Sequence, residues 1–194
     1  SLPSSATDGP LGIRFKDDGS VLYTTGYISD TIAAYPLSTD YDVTTANTTN
    51  PDTLDISSYA PYAWGIAFSA NGDMIFAVDV LHDKIFKWTM NNAWDIANAS
   101  YHSSSSVLPL SLPADIMFSP TGKKLYVLDY STDTLYQFNL TTPYDLSQIG
   151  STADYSVSVS SQQAQPTAFT ITPDGSRLYL LGNSPKEIAQ YDLG

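Results

Sequence analysis

Short apolar stretches and glycine-containing turns alternate four times along the chain. In each copy an apolar stretch runs into an Asp-Gly, Asn-Gly or Thr-Gly pair, and a second apolar stretch follows. Glycine adopts the left-handed conformation of such turns at the lowest cost, so each copy predicts a β-hairpin. The turn glycines recur at spacings of 53, 50 and 53 residues: Gly19, Gly72, Gly122 and Gly175.

Other positions keep the same register around these glycines, which identifies a repeat. Large apolar residues lie four positions before each glycine and aromatic residues lie sixteen positions after it. The second strand is apolar at consecutive positions, as in Met74–Val78, so both faces of its sheet need burial. A third strand, a polar loop and a weaker fourth strand complete the pattern. The fourth strands are predicted at residues 54–60, 107–112 and 155–161.

Four-stranded sheets that are packed between similar sheets are the blades of a β-propeller. No stretch keeps a helical apolar period over three turns, so the sequence predicts an all-β fold. We expect a single domain over residues 1–194, with repeat units at about 8–60, 61–112, 113–164 and 165–194.

The fourth unit ends after its third strand, and the first residues of the chain align with the strand that it lacks. Three arrangements follow: a four-bladed ring closed by residues 1–7, an eight-bladed ring of two chains, or donation of this strand to a neighbour. An open strand edge is a pairing template, and head-to-tail donation that does not close produces a filament. The predicted closing or donated strand comprises Ser1, Leu2, Pro3, Ser4 and Ser5.

The segment "FSPTGKKLYVLDYSTDTLYQFNLTTPYDLS", residues 118–147, resembles the YVTN/NHL-like β-propeller repeats. The resemblance extends over nearly the whole chain in four repeats. It implies the blade fold, and it implies a class that includes lyases, lactonases, adhesion proteins and scaffold proteins. It provides no catalytic motif that could be transferred to particular residues.

The charge of the chain limits its partners. Its formal charge is −12, from 20 acidic and 8 basic residues, which argues against nucleic acid and against anionic bilayers as partners. No cysteine is present, so disulfides and thiolate chemistry are excluded. The low charged fraction and the many Ser, Thr, Tyr and Asn residues favour a secreted or cell-surface protein. Its expected partners are a second copy of itself or an extracellular protein or glycan.

Two loops carry paired aspartates, Asp79 with Asp83 and Asp129 with Asp133. Carboxylates at this spacing suit a hard divalent ion such as Ca²⁺. The competing and favoured interpretation is that each aspartate caps its turn by accepting backbone N–H groups. The equivalent positions in the first and fourth units are not both acidic, which also favours the turn interpretation.

Further candidates are aromatic residues and glycosylation sequons. Trp64 stands where the other units have Leu, Ala or Thr, so with Tyr62 it is a candidate platform for stacking a sugar or a partner. Packing at a blade junction is the simpler explanation. Three asparagines lie in Asn-x-Ser/Thr sequons and are candidate glycosylation sites: Asn47, Asn98 and Asn139.

Two functions remain. The favoured one is a non-catalytic, secreted or surface propeller that acts as a structural or binding module, including a form that self-assembles through an exchanged N-terminal strand. The alternative is a small propeller enzyme of lyase or lactonase type, with a divalent ion held by the loop aspartates. The lack of a convergent catalytic set leads us to expect that the protein is not an enzyme.

Overall fold

The computed structural model describes residues 8–193, which form fifteen β-strands in four antiparallel sheets. Each sheet is one blade, and the blades follow one another in chain order, which confirms the predicted all-β propeller. The first three blades have four strands each, and the fourth has three within the described residues. The donated strand predicted at Ser1–Ser5 lies outside the described residues.

The strands of each blade run in sequence order from the propeller axis outward. Blade 1 comprises β1 (Pro10–Phe15), β2 (Val21–Gly26), β3 (Thr31–Pro36) and β4 (Asp52–Asp55). Blade 2 comprises β5 (Ala63–Phe68), β6 (Met74–Asp79), β7 (Lys84–Thr89) and β8 (Ser100–Ser104). Blade 3 comprises β9 (Pro113–Phe118), β10 (Lys124–Asp129), β11 (Thr134–Asn139) and β12 (Tyr155–Ser158). Blade 4 comprises β13 (Ala164–Ile171), β14 (Arg177–Ser184) and β15 (Ile188–Asp192).

Apolar side chains between neighbouring blades form the core. One cluster joins blades 1 and 2 around Tyr23, Ile66 and Trp88, and another joins blades 2 and 3 around Phe76 and Phe138. A smaller cluster joins blades 3 and 4. The strands of blade 2 are therefore apolar on both faces because a blade packs on either side of them.

The predicted turn glycines all have positive φ, between 67° and 76°. In blades 1, 2 and 3 an aromatic ring from the loop after the third strand covers the glycine. A Cβ at Gly72 would lie 2.2 Å from the ring of Trp94, so this position excludes every side chain. Tyr41 and Tyr144 cover Gly19 and Gly122 in the same way, whereas nothing covers Gly175.

The polar loops contain one structural feature that the sequence pattern did not predict. Each of the first three blades has a short 3-10 helix between its third and fourth strands: Val43–Thr45, Ile96–Asn98 and Leu146–Gln148. Asp42 and Asp145 cap two of these helices by accepting the backbone N–H of Thr44 and Ser147.

The predicted fourth strand of blade 2 was wrong. Residues 107–112 form the connection to β9, and their Leu108 and Leu110 are buried against the core between blades 2 and 3. The fourth strand is the polar segment Ser100–Ser104, which pairs with β7. The apolar residues at 107–112 therefore belong to a buried connection and not to a strand. The outermost strand of the blade is polar because it faces solvent.

Candidate functional site

A cavity of about 1270 Å³ opens at one end of the propeller. This end carries the hairpin turns that contain the repeated glycines, and we call it the turn face. The innermost strands of all four blades line it, so it lies at the propeller axis. Aromatic rings form part of its wall. The rings come from the inner strands, from β10 and from the loops after the third strands: Phe15, Tyr41, Phe68, Trp94, Phe118, Tyr126, Tyr144 and Phe169.

The charges in this cavity differ from those of the whole chain. Its charged lining residues are three bases, Arg14, Lys123 and Lys124, and two acids, Asp17 and Asp174. The cavity thus carries a formal charge of +1 in a chain of −12. Asp115 balances the charge of Arg14, so the exposed Lys123 and Lys124 are the bases that can attract a small anion into the cavity.

Arg14 lies at the inner end of the cavity and pairs with the buried Asp115. One guanidinium nitrogen of Arg14 donates to Asp115 Oδ1 at 2.7 Å and to the carbonyl oxygen of Ile116 at 3.1 Å. The Arg14 side chain is 26% exposed and that of Asp115 is 4% exposed. The carboxylate is therefore buried, while part of the guanidinium still faces the cavity.

Asp115 contacts all four blades. Within blade 3 its Oδ1 accepts the N–H of Ile116, and its Oδ2 accepts the N–H of Phe169 from blade 4 at 3.1 Å. It reaches Arg14 in blade 1. In blade 2, Gly65 packs directly on it, since a Cβ at residue 65 would lie 2.6 Å from Asp115 Oδ1. Arg14 is consequently held by a carboxylate whose own position is fixed by three other blades.

Sequence reasoning missed both members of this pair, although the repeat contained a signal. The position of Asp115 is occupied by Gly12, Gly65 and Ala168 in the other units, and that of Arg14 by Ala67, Met117 and Thr170. In both cases a charged residue stands where the other units have small or apolar residues.

The two carboxylates in the cavity differ in their surroundings. The Asp174 carboxylate accepts hydrogen bonds from the Thr172 and Ser176 side chains and from the Ser176 N–H, which lower its pKa to about 2. The Asp17 carboxylate has no hydrogen-bond or ion-pair partner within residues 8–193, and the residue is exposed at the turn that follows β1. Asp17 is therefore the carboxylate that is available to a bound molecule.

The rim of the cavity is held by the aromatic loop residues. The Tyr144 hydroxyl accepts the N–H of Ala70 from the neighbouring blade at 3.0 Å, and the Tyr41 hydroxyl donates to the carbonyl oxygen of Asp17. These contacts tie the loops after β3 and β11 to hairpin turns. The opening of the cavity is therefore built from cross-linked turns.

The paired aspartates lie at the opposite end of the propeller, which we call the Asp face; it carries the turns between β6 and β7 and between β10 and β11. Asp79 and Asp129 are fully buried. Asp79 accepts the N–H groups of Tyr62, Leu81 and His82, and its Oδ1 is also 2.8 Å from His82 Nδ1.

Asp129 accepts four backbone N–H groups, from Ser111, Leu112, Ser131 and Thr132. Both aspartates thus bond backbone donors in the manner of turn caps.

Asp83 and Asp133 are in left-handed conformations at the ends of these two turns. Asp133 Oδ1 accepts the N–H of Gln165 at 2.6 Å, which joins blade 3 to blade 4. Burial, Asp129 and Asp79 raise the pKa of Asp83, whose buried Oδ1 has no hydrogen-bond partner among the described residues.

No group of three or more metal-ligating side chains exists in the described part of the chain. The backbone bonds of Asp79 and Asp129 support the turn interpretation, and binding of a divalent ion by the loop aspartates stays a prediction.

The structure does not bring the predicted stacking residues into one platform. Tyr62 is 46% exposed and makes no ring contact with Trp64. Trp64 is half-buried and meets Tyr130 edge-on at 5.9 Å. The space beside Trp64 at the axis measures about 30 Å³, which is too small for a sugar ring. All three sequon asparagines, Asn47, Asn98 and Asn139, are exposed, and glycosylation there stays a prediction.

The fold and the axial cavity define the class of protein, an all-β propeller with one large binding cavity on its turn face. A family model described as "Lactonase, 7-bladed beta-propeller" matches residues 2–193. The chain therefore belongs to this lactonase family of β-propellers. The match confirms the propeller class of the predicted resemblance, and it does not bear on YVTN/NHL repeats specifically.

Solved structures show the same fold at low sequence identity. The hydrazine synthase of Kuenenia stuttgartiensis matches with a TM-score of 0.59 and 15% identity over 96% of this chain and 47% of that one. A candidate 6-phosphogluconolactonase from Bacteroides uniformis matches with a TM-score of 0.55 and 18% identity over 95% of this chain and 50% of that one.

A second candidate 6-phosphogluconolactonase, from Bacteroides fragilis, gives a TM-score of 0.56 and 16% identity over 94% of this chain and 50% of that one. The chain thus spans about half the length of these structures. No curated protein shows significant similarity to it. Within the described residues, no helix has the length and apolarity needed to cross a membrane.

The family match overturns the prediction of a non-catalytic structural or binding module. A lactonase family and lactonase-named structural neighbours favour the alternative, an enzyme-type propeller. That prediction rested on the lack of a convergent catalytic set in the sequence. Here the charged residues that converge on the axis come from different blades, and Arg14 and Asp115 are 101 residues apart.

Proposed function

We propose that this protein is a lactone hydrolase whose active site is the cavity on the turn face. The observation that carries the proposal is the Arg14–Asp115 pair at the inner end of that cavity, in a chain that belongs to a lactonase family. Lactone hydrolysis adds water to the carbonyl carbon of a cyclic ester and then breaks the ring carbon–oxygen bond, which yields a hydroxy acid. Negative charge develops on the carbonyl oxygen in the transition state.

Arg14 suits the role of the oxyanion partner. A guanidinium stays protonated at any working pH, so Arg14 would act as a fixed positive charge. Its bonds to Asp115 and to the Ile116 carbonyl hold it in place before substrate binds. Electrostatic stabilisation is most effective when the charge is already oriented, because no reorganisation is then needed during the reaction.

Asp17 suits the role of the general base. Its carboxylate lines the same cavity and has no partner in the described residues, whereas the Asp174 carboxylate is occupied by its own turn and has a pKa of about 2. In this scheme Asp17 takes a proton from the attacking water. The ring oxygen that leaves is protonated by solvent, which enters through the open turn face.

The substrate we propose is a lactone with an anionic substituent. Lys123 and Lys124 are exposed on the cavity lining and provide positive charge away from Arg14. The aromatic wall suits the apolar face of a ring. 6-Phosphogluconolactone belongs in the test panel because two structural neighbours are named as candidate 6-phosphogluconolactonases.

The proposal is tested by following acid release when the purified chain is mixed with a panel of lactones, half of them anionic. Hydrolysis above the spontaneous rate, faster for anionic members and unchanged by a chelator, is the expected result. Asp17→Asn should lower kcat by a factor of roughly 100 or more, as expected for loss of a general base. No hydrolysis of any panel member, or full activity of Asp17→Asn, would overturn it.

A further inference from the structure

Two tyrosines on the outer side of the propeller form a stacked pair. The ring centroids of Tyr59 and Tyr101 are 3.8 Å apart, and their planes differ by 7°. Tyr59 belongs to the connection from blade 1 to blade 2, and Tyr101 lies in β8, the outermost strand of blade 2. Of the 14 tyrosines in the chain, no others stack on each other within the described residues.

Trp88 holds this pair against the core. Its indole meets both rings edge-on, with centroids 6.4 Å from Tyr59 and 6.1 Å from Tyr101. Trp88 is 2% exposed, so the tyrosines lie on a rigid base. Tyr101 is also the cross-strand neighbour of Trp88 in the β7–β8 pairing. Edge-to-face contacts of this kind are favourable and orient the rings.

Both tyrosines are open to solvent. Tyr59 is 39% exposed and Tyr101 is 38% exposed, and neither hydroxyl has a hydrogen-bond partner within residues 8–193. An oxidant in solution therefore reaches both phenols, and the protons that they lose can pass directly to water. The buried Trp88 is shielded from the same reagent.

We propose that Tyr59 and Tyr101 form an oxidative modification site at which a one-electron oxidant joins them as an intramolecular dityrosine. Each phenol loses one electron and one proton to give a phenoxyl radical. The two radicals couple through ring carbons ortho to the hydroxyls, and the hydrogens on those carbons return to the oxygens. The two electrons and two protons reduce one hydrogen peroxide to two waters when the oxidant is a haem peroxidase with peroxide.

The cross-link would fasten the connection between blades 1 and 2 to the outer strand of blade 2. An outer strand is the least protected part of a blade, because one of its edges has no neighbour. Holding the reactive groups together converts a bimolecular coupling into an intramolecular one, which greatly favours this pair over pairs in different molecules. The site is independent of the cavity on the turn face.

The test treats the dilute, purified chain with a haem peroxidase and hydrogen peroxide, and locates dityrosine by fluorescence and by mass spectrometry of proteolytic peptides. The expected product is a monomer with one joined peptide pair containing Tyr59 and Tyr101, lighter by two hydrogen atoms than the separate peptides. Tyr59→Phe and Tyr101→Phe should each abolish it.

Tyr155→Phe is the matched control. Tyr155 is 66% exposed and has no ring partner in the described residues, so its removal should leave the intramolecular product unchanged. Circular dichroism confirms that each variant is folded. Dityrosine that persists in Tyr59→Phe, that joins only separate molecules, or that fails to form in the wild type would overturn the proposal.

Discussion

At the scale of the residue, Asp115 has the most consequential position in the molecule. It is a buried carboxylate whose partners come from different blades, and it holds the one arginine that reaches the inner end of the cavity. Removing one partner of a buried ion pair leaves an uncompensated charge, which costs more than the pair itself contributes. The same residue therefore affects both stability and the proposed chemistry.

We predict that Asp115→Ala lowers the free energy of unfolding by about 3 kcal/mol, because Arg14 and the Phe169 N–H lose their acceptor. Urea denaturation measures this change. Asp40→Ala is the control, since Asp40 is exposed and has no hydrogen-bond or ion-pair partner in the described residues. Equal stabilities of the two variants would contradict the role assigned to Asp115.

Gly65 provides a second test of the same packing. A Cβ at residue 65 would lie 2.6 Å from Asp115 Oδ1 and 2.7 Å from Asp115 Cα. Gly65→Ala should therefore destabilise the protein by roughly 2 kcal/mol, as overpacking in a closed site does. At Gly150 the nearest atom to an added Cβ is 3.5 Å away, so Gly150→Ala should be neutral in the same denaturation experiment. Two neutral substitutions would contradict the close approach of blades 2 and 3.

Sequence could have identified these residues only in part. A repeat reveals positions where one unit departs from the others, and Asp115 is such a position. It does not reveal which departures meet in space, because Arg14 and Asp115 are brought together only when the first and third blades pack around the axis. The sequence favoured backbone N–H groups as the partners of Asp79 and Asp129, but it did not identify donors outside their own turns, such as the N–H groups of Tyr62 and Ser111.

At the scale of the element, the turn between β10 and β11 depends on one carboxylate. Burial raises the pKa of Asp129, but hydrogen bonds from Leu112, Thr132, Ser131 and Ser111 outweigh that effect and hold the pKa below its ordinary value of 3.8. A group whose pKa is lower in the folded state stabilises the fold when it is ionised. Asp129 therefore stabilises the protein at pH above 3.8, and this stabilisation is lost as the pH falls towards the folded-state pKa.

We predict that Asp129→Asn removes the contribution of this carboxylate to the pH dependence of the free energy of unfolding. The variant should be less stable than wild type by roughly 2 kcal/mol at neutral pH, because its amide N–H₂ faces backbone donors. The difference should shrink as the pH falls below about 3.8 towards the lowered folded-state pKa, because the wild-type carboxylate then protonates. Denaturation midpoints over this range measure it. A difference that stays constant with pH would contradict the account.

Strands were predictable where burial selects apolar residues and were missed where it does not. The first three strands of each blade pack against at least one neighbouring blade, so their apolar residues and their turn glycines made them predictable. β8 is a run of polar residues at the outside of blade 2, and only its pairing with β7 makes it a strand. Residues 107–112 were apolar for a different reason, since Leu108 and Leu110 fill the core beside β9.

At the scale of the whole molecule, four blades line one cavity that contains three basic residues, in a chain with a formal charge of −12. The repeated strands and loops form the walls of the cavity. Arg14 and Asp115 lie at positions where one unit differs from the other three. This division explains why the fold was evident from the sequence while the function was assigned to the wrong class. The proposed function depends on residues that depart from the repeat by which the fold was recognised.

The most direct test of the central claim is kcat/KM for an anionic lactone, measured for wild type, Arg14→Ala and Arg177→Ala. These are the two arginines of the chain, and Arg177 lies outside the cavity lining. Loss of a preorganised oxyanion partner typically costs about 100-fold to 1000-fold, so Arg14→Ala should lose activity on that order while it remains folded. Arg177→Ala should match wild type. Equal kcat/KM for Arg14→Ala and Arg177→Ala would contradict the claim that the cavity on the turn face is a lactone-hydrolysing site.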